Sequence, residues 1–223
     1  MGQLREVVRT TAGRRGVTVR TIWGLARLAA LGVALGLAGC VTAENSLSQN
    51  DIASMKLTGV TLSYAPEARV QWEDGIRAYA TAKAIPDHEI ATATDTPEGK
   101  AYVRDMLAPK LRSAIEQRMA GQLIGSRPVR IEIVVKNFAI AGAVQRILIG
   151  GGRGMIADAN LVDARTGALI LAHRDLTVTL PVPGGVAGVV IQAAIDNASE
   201  RSPAEKVADQ YGDTYRNWLL RRA

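Results

Sequence analysis

The stretch RPVRIEIVVKNFAIA at 127–141 alternates cleanly, with Val129, Ile131, Ile133 and Val135 on one face and Arg130, Glu132 and Lys136 on the other. A period of two residues places successive side chains on opposite faces of a strand, so this segment is a half-buried strand and one face must be covered. A second strand is expected from Met155 to Val162. The stretch DARTG then forms a short hairpin loop, with Gly167 free to take positive φ, and a third strand from Ala168 to Leu180 pairs back antiparallel. A three-stranded meander is therefore the expected heart of the fold.

Helical periods supply the cover. Thr96-Pro97 has a cap residue followed by proline in the first turn, and Val103, Met106, Leu107, Leu111, Ala114, Ile115 and Met119 follow at steps of three and four. Pro109 lies inside this pattern and should kink the helix or delay its start. Gly121 or Gly125 is expected to end it. Gly184-Gly185 precedes an apolar helix, VAGVVIQAAIDNA, and Ser202-Pro203-Ala204-Glu205 reads as a capping box. Val207, Ala208, Tyr211, Tyr215, Trp218 and Leu219 then form the packing stripe of a last helix. MKLTGVTLSY reads as a first strand near 56–64, a further short strand is possible at 69–73, and Pro86 and Pro97 bound a loop. The fold class is α/β of the α+β type: a mainly antiparallel sheet of three to five strands packed by two or three helices.

The lone cysteine, Cys40, ends twelve residues without a charge, preceded by a region with six arginines and one glutamate. This is the layout of an export signal. Read as a helix, the apolar stretch rises about 18 Å against a hydrocarbon core of about 30 Å, so the competing reading, a transmembrane anchor, must extend back to Ile22 and include Arg27. Removing this leader leaves 21 basic against 20 acidic residues. A nearly neutral domain lacks the clustered cations that bind nucleic acid, so that class is set aside.

Leu37-Ala38-Gly39-Cys40 matches the bacterial lipobox, recognised by the lipoprotein signal peptidase. The resemblance implies cleavage after Gly39, a thioether between Cys40 and diacylglycerol, and acylation of the new amino terminus. A thiolate is the one side chain readily alkylated on sulfur, and two or three acyl chains anchor a protein where one does not. Met1-Gly2 lacks the hydroxyl that myristoylation requires, because Glu6 stands in its place, and Arg14-Arg15 lacks the flanks of a twin-arginine signal. The segment from Val17 onward is by itself a compact signal, so an over-extended start is expected. The organisation is then 1–39 signal peptide, 40–54 lipidated cysteine and polar tether, and 55–223 a single α/β domain. Val41, where aspartate favours inner-membrane retention in enterobacteria, points to the outer membrane, facing the periplasm.

Catalytic arrangements are sparse. GGGRG at 150–154 lacks the lysine and hydroxyl of a phosphate loop, and Met155 takes the place of the last glycine of a dinucleotide fingerprint. The chain has two histidines, His88 and His173, so a three-histidine metal site is excluded. There is no Gly-x-Ser-x-Gly elbow and no Ser-x-x-Lys pair. Asp158, Asp163 and Asp175 could converge as acid and base, but alternation puts Asp158 on the polar face of its strand and Asp163 in the turn, so they read as solvated carboxylates. No cofactor, metal or catalytic residue is expected.

The segment NFAIAGAVQRILIGGGRGMIADANLVDARTGALILAHRDL resembles uncharacterised Gram-negative lipoprotein families of unknown function, in which a strand, an arginine and glycine-rich link, a strand and Asp-x-x-Thr-Gly follow one another. The matching positions are Arg146, Gly150, Gly151, Gly152, Gly154, Asp163, Thr166 and Gly167. SYAPEARVQWED is similar to a stretch of one alphaproteobacterial family, with Tyr-x-Pro and a tryptophan before the main helix. The resemblance implies a cell-envelope lipoprotein with an α/β domain and no assigned activity. The leading expectation is a non-enzymatic lipoprotein, attached to the membrane through Cys40, that binds an envelope protein partner through a sheet edge or the glycine-rich loop. The alternatives are a small-molecule or lipid-binding module, suggested by GGVAGVVIQAAI, and a hydrolase using Asp158, Asp163 or His173.

Overall fold

The computed structural model describes residues 43–142, 152–181 and 185–222. Four strands form one sheet in the order β1-β2-β3-β4: β1 Met55–Trp72, β2 Arg127–Ile140, β3 Arg153–Asp163 and β4 Leu169–Leu180. The pairs β2/β3 and β3/β4 are antiparallel, which is the expected meander, whereas β1 lies parallel to β2. A parallel pair needs a long crossover. Here it is helical: α2 Glu73–Lys83, a 3-10 turn Asp87–Glu89, α3 Ile90–Thr94 and α4 Pro97–Met119. Two of these elements, the 3-10 turn and α3, stand where a loop was expected. The other helices are α1 Gln49–Ser54, α5 Gly185–Asn197 and α6 Pro203–Leu219, making six among the described residues.

The long helices α4 and α6 pack together on one face of the sheet. Val129, Ile131, Ile133 and Val135 point to that face and are fully buried, as the alternation requires. They meet Leu107, Leu111 and Ile115 of α4 and Val207, Tyr211 and Tyr215 of α6 within one core. Each such aliphatic side chain contributes about 1.5–3 kcal/mol by leaving water. Both helices begin as their sequences predict. Thr96 Oγ1 accepts from Gly99 N at 3.1 Å, and Ser202 and Glu205 complete a reciprocal capping box. Pro109 neither delays α4 nor ends it. It lies on the exposed side, where the Asp105 carbonyl that it leaves unpaired can face water. The helix stops at Ala120, one residue before Gly121.

β1 is one strand of 18 residues rather than a strand near 56–64 with a second at 69–73. Between Tyr64↔Val135 and Arg69↔Asn137 it carries four residues against one on β2, so Ala65–Ala68 bows out of register and pairing then resumes to Trp72. Pro66, which breaks the sequence pattern, lies inside this excursion, where its missing N–H costs no ladder bond.

The stretch expected to be a solvated tether is docked from Ala43 onward, correcting that expectation over 43–54. Trp218 Nε1 donates to Ala43 O at 2.6 Å, and Asn45 Nδ2 donates to Trp218 O at 3.1 Å and Leu219 O at 2.8 Å. Ser48 and Asp51 then form the capping box that starts α1. Ala43–Ala223 accordingly clusters as one compact unit.

Candidate functional site

Three features carry chemistry. The first is a polar node on the sheet face opposite α4 and α6, built by two neighbouring bulges. β2 gains Lys136 between Val135↔Ala157 and Asn137↔Ile156, and β4 gains a residue where Arg174 and Asp175 stand opposite Asp158. Asp175 takes φ 50, the left-handed conformation that an aspartate tolerates better than most residues. Asp158, on β3 between the bulges, accepts from Asp175 N at 2.8 Å and pairs with Lys136 Nζ at 2.8 Å and Arg174 Nη1 at 3.6 Å. Lys136 also reaches Asp175 Oδ1 at 2.7 Å.

Asp158 is 6% exposed, so it is no solvated carboxylate as its place on the polar face suggested. Burial pushes its pKa up, but the hydrogen bonds from Lys136 and from the Asp175 N–H, with the nearby charges, hold it below the ordinary carboxylate value. The pairing raises the pKa of Lys136 correspondingly. Two carboxylates thus share one ammonium. Asp163 lies elsewhere, in the hairpin, and His173 packs edge-on against Trp218 at 4.6 Å between ring centroids. The three hydrolase candidates, Asp158, Asp163 and His173, therefore do not share a cleft.

The second feature joins the glycine-rich segment to α5. Arg153, 4% exposed at the start of β3, makes a two-pronged ion pair with Asp196, with Nη1 donating to Oδ1 at 3.0 Å and Nη2 to Oδ2. Gln192 Nε2 and Lys206 Nζ donate to the same carboxylate at 3.1 and 3.2 Å. The Arg153 hydrogen bonds outweigh burial and bring the Asp196 pKa down to about 2. The described side chains of α5 divide unusually beside this network. Gln192 is 8% exposed, while Val190, Ile191 and Ile195 are 64%, 55% and 50% exposed.

The third is a cleft of about 1260 Å³ between the far half of β1 and helices α2, α3 and α4. Val103 and Phe138 contribute apolar surface, and Arg69, Arg77, Lys100 and Arg104 line it alongside Glu67, Glu73, Asp87 and Asp95. Arg77 pairs with Glu73 at 2.6 Å and Lys100 with Asp95 at 2.7 Å, so much of this charge is already matched. Arg104 Nη2 donates to Ala68 O at 2.7 Å, which holds the bowed segment of β1. No residue of α5 is among those lining the cleft.

Of the positions singled out in the sequence, Leu37, Ala38, Gly39, Cys40, Arg146, Gly150 and Gly151 lie outside the described residues. Gly154 lies against β4, where an added Cβ would stand 2.7 Å from Val178 O. Gly152 has room, its nearest neighbour being Thr179 Cγ2 at 3.8 Å. Asp163 closes the hairpin. Its Oδ1 accepts from Arg165 N at 3.1 Å and Thr166 N at 3.2 Å, its carbonyl accepts from Gly167 N at 2.8 Å, and Gly167 takes φ 73. Those N–H donors hold the Asp163 carboxyl below its ordinary pKa. Thr166 Oγ1 accepts from Ala168 N at 3.2 Å. Sequence reasoning passed over Lys136, Arg153 and Asp196. Their signal was faint: a charged residue directly beside a strand's apolar run, and an acid at the end of an otherwise apolar helix.

No protein-family model and no curated protein matches the chain. Among solved structures, it is similar to a putative lipoprotein from Caulobacter crescentus CB15, at 17% identity and TM-score 0.33, over 52% of this chain and 81% of that one. It is also similar to a Xanthomonas campestris protein of the DUF330 family, at 18% identity and TM-score 0.33, over 53% of this chain and 61% of that one.

Proposed function

We infer that this chain is a lipid-anchored lipoprotein of the cell envelope, non-enzymatic, whose domain holds out an apolar helix for an envelope protein. The lipobox ending at Cys40 supports the anchor. The exposure of three apolar side chains on α5 supports the partner: a surface helix ordinarily turns its apolar stripe inward, and here Arg153, Gln192 and Lys206 hold Asp196 while Val190, Ile191 and Ile195 face out. A photo-activated crosslinker placed at Ile191 in cells tests this. One defined protein adduct, lost when Val190 and Ile195 become serine, is the expected result; a chain that stays uncrosslinked contradicts it.

A second reading, a module binding a small molecule, draws on the cleft beside Val103 and Phe138. It predicts that a ligand extracted with the purified protein is lost in Val103→Trp, which fills the cleft, and that the α5 substitutions leave it in place.

A further inference from the structure

We propose that the domain stands on the membrane by the C-terminal end of α6, with anionic lipid headgroups against Arg221 and Arg222, and with α5 held at the far end of that helix. The proposal rests on the lipid-anchored reading and goes beyond it to the orientation of the domain. It follows from the length of the leash. A free tether over 40–54 could extend about 50 Å and would leave the domain without a preferred face. The chain is instead docked from Ala43. Only Val41 and Thr42 separate Ala43 from Cys40, so an acylated cysteine lies within about 11 Å of Ala43 even with the chain fully extended.

The dock itself is at one end of α6. Trp218 holds Ala43, the carbonyls of Trp218 and Leu219 hold Asn45, and Arg221 Nη2 donates to Asn45 O at 2.5 Å. The side chains here suit a headgroup layer. Arg221 and Arg222 are exposed cations, and Trp218 is a part-buried indole of the kind enriched where apolar and aqueous phases meet. The opposite end of α6 carries Lys206, paired with Asp196 of α5. From Lys206 to Trp218 the helix rises about 18 Å, longer than the leash. The apolar face of α5 therefore belongs to the end that reaches away from the bilayer, where a protein rather than the anchoring lipid can cover it.

The test uses the mature acylated chain in vesicles of phosphatidylethanolamine and phosphatidylglycerol that contain a headgroup spin-labelled lipid. Cys40 is the one native cysteine and is blocked by acylation, so a single cysteine introduced by Arg222→Cys or by Ala193→Cys on the exposed part of α5 takes a fluorophore uniquely. The expected result is at least threefold stronger quenching at 222 than at 193. Ten Gly/Ser residues inserted between Thr42 and Ala43 should bring the two sites to within a factor of about 1.5. Equal quenching with the native leash, or stronger quenching at 193, overturns the orientation while leaving the anchor in place. An intact mass without acyl chains overturns the anchored reading and the orientation with it.

Discussion

Arg153 and Asp196, 43 residues apart, form a two-pronged ion pair that fixes α5 to the start of β3, with Gln192 and Lys206 completing the shell of the carboxylate. Because the Arg153 side chain is 5% exposed, removing its partner strands a buried cation. Asp196→Ala should cost about 3 kcal/mol or more, whereas Lys206→Ala, which leaves the main pair intact, should cost about 1 kcal/mol or less. Urea titrations of the two variants check this ranking.

The same pair sets an acid limit. The folded-state pKa of Asp196, about 2, lies below its ordinary value of 3.8. Its contribution is therefore complete above about pH 4 and disappears as pH falls towards 2, amounting to about 1–2 kcal/mol once solvent screening is allowed for. Asp158 and Asp163 are shifted in the same direction. Melting temperature should be flat from pH 7 to 5 and fall steeply below 4, less steeply in Asp196→Asn, whose starting stability is lower.

At the double bulge, Asp158 and Asp175 differ in burial, with side chains 8% and 67% exposed. Asp158→Ala removes the acceptor of a backbone N–H and one of the two carboxylates that Lys136 pairs with, the buried one, and should cost about 2–3 kcal/mol. Asp175→Gly loses an exposed pair but relaxes a residue at φ 50, so its net effect should lie within about 0.5 kcal/mol of zero. Thermal denaturation distinguishes the two.

Glycines in the β3 region should separate by geometry. Gly154→Ala drives a Cβ against a backbone carbonyl at 2.7 Å and should cost about 2 kcal/mol or more, while Gly152→Ala, with its nearest neighbour at 3.8 Å, should be close to neutral. Gly167→Ala forces positive φ on alanine and should cost about 1 kcal/mol. Stability measurements on the three single variants suffice.

The apolar side chains of α5 should be dispensable for folding. Combined Val190→Ser, Ile191→Ser and Ile195→Ser should change stability by less than about 1 kcal/mol, because each residue is at least half exposed, while reducing binding of a hydrophobic dye. A large loss of stability would show that the helix packs through these residues.

Much of the sheet was legible because local patterns and tertiary packing agree. The alternation from Val129 to Val135, the Asp163 turn and the cap at Ser202 are where reasoning by residue spacing places them. What was not legible depends on contacts distant in sequence. The return of β1 to register after Ala65–Ala68 is decided by β2, and the parallel pairing by the helical crossover between them. Alternation assigns Asp158 to a face but cannot reveal two bulges that bring Lys136 and Asp175 to it. Residues 43–48 are polar and read as solvated, yet their backbone and amide groups are bound by the end of α6, far away in sequence. At α5 the apolar composition predicts a helix, but which of its residues face water depends on contacts such as Arg153 with Asp196, 43 residues apart.

The anchor proposed at Cys40 underlies both the partner-binding reading and the orientation of the domain. Metabolic labelling with a clickable palmitate, comparing the wild type with Cys40→Ala and followed by membrane fractionation, tests it most directly. The account predicts label on the wild type alone, in the outer-membrane fraction because Val41 follows the cysteine. A wild-type chain that carries no label would contradict it.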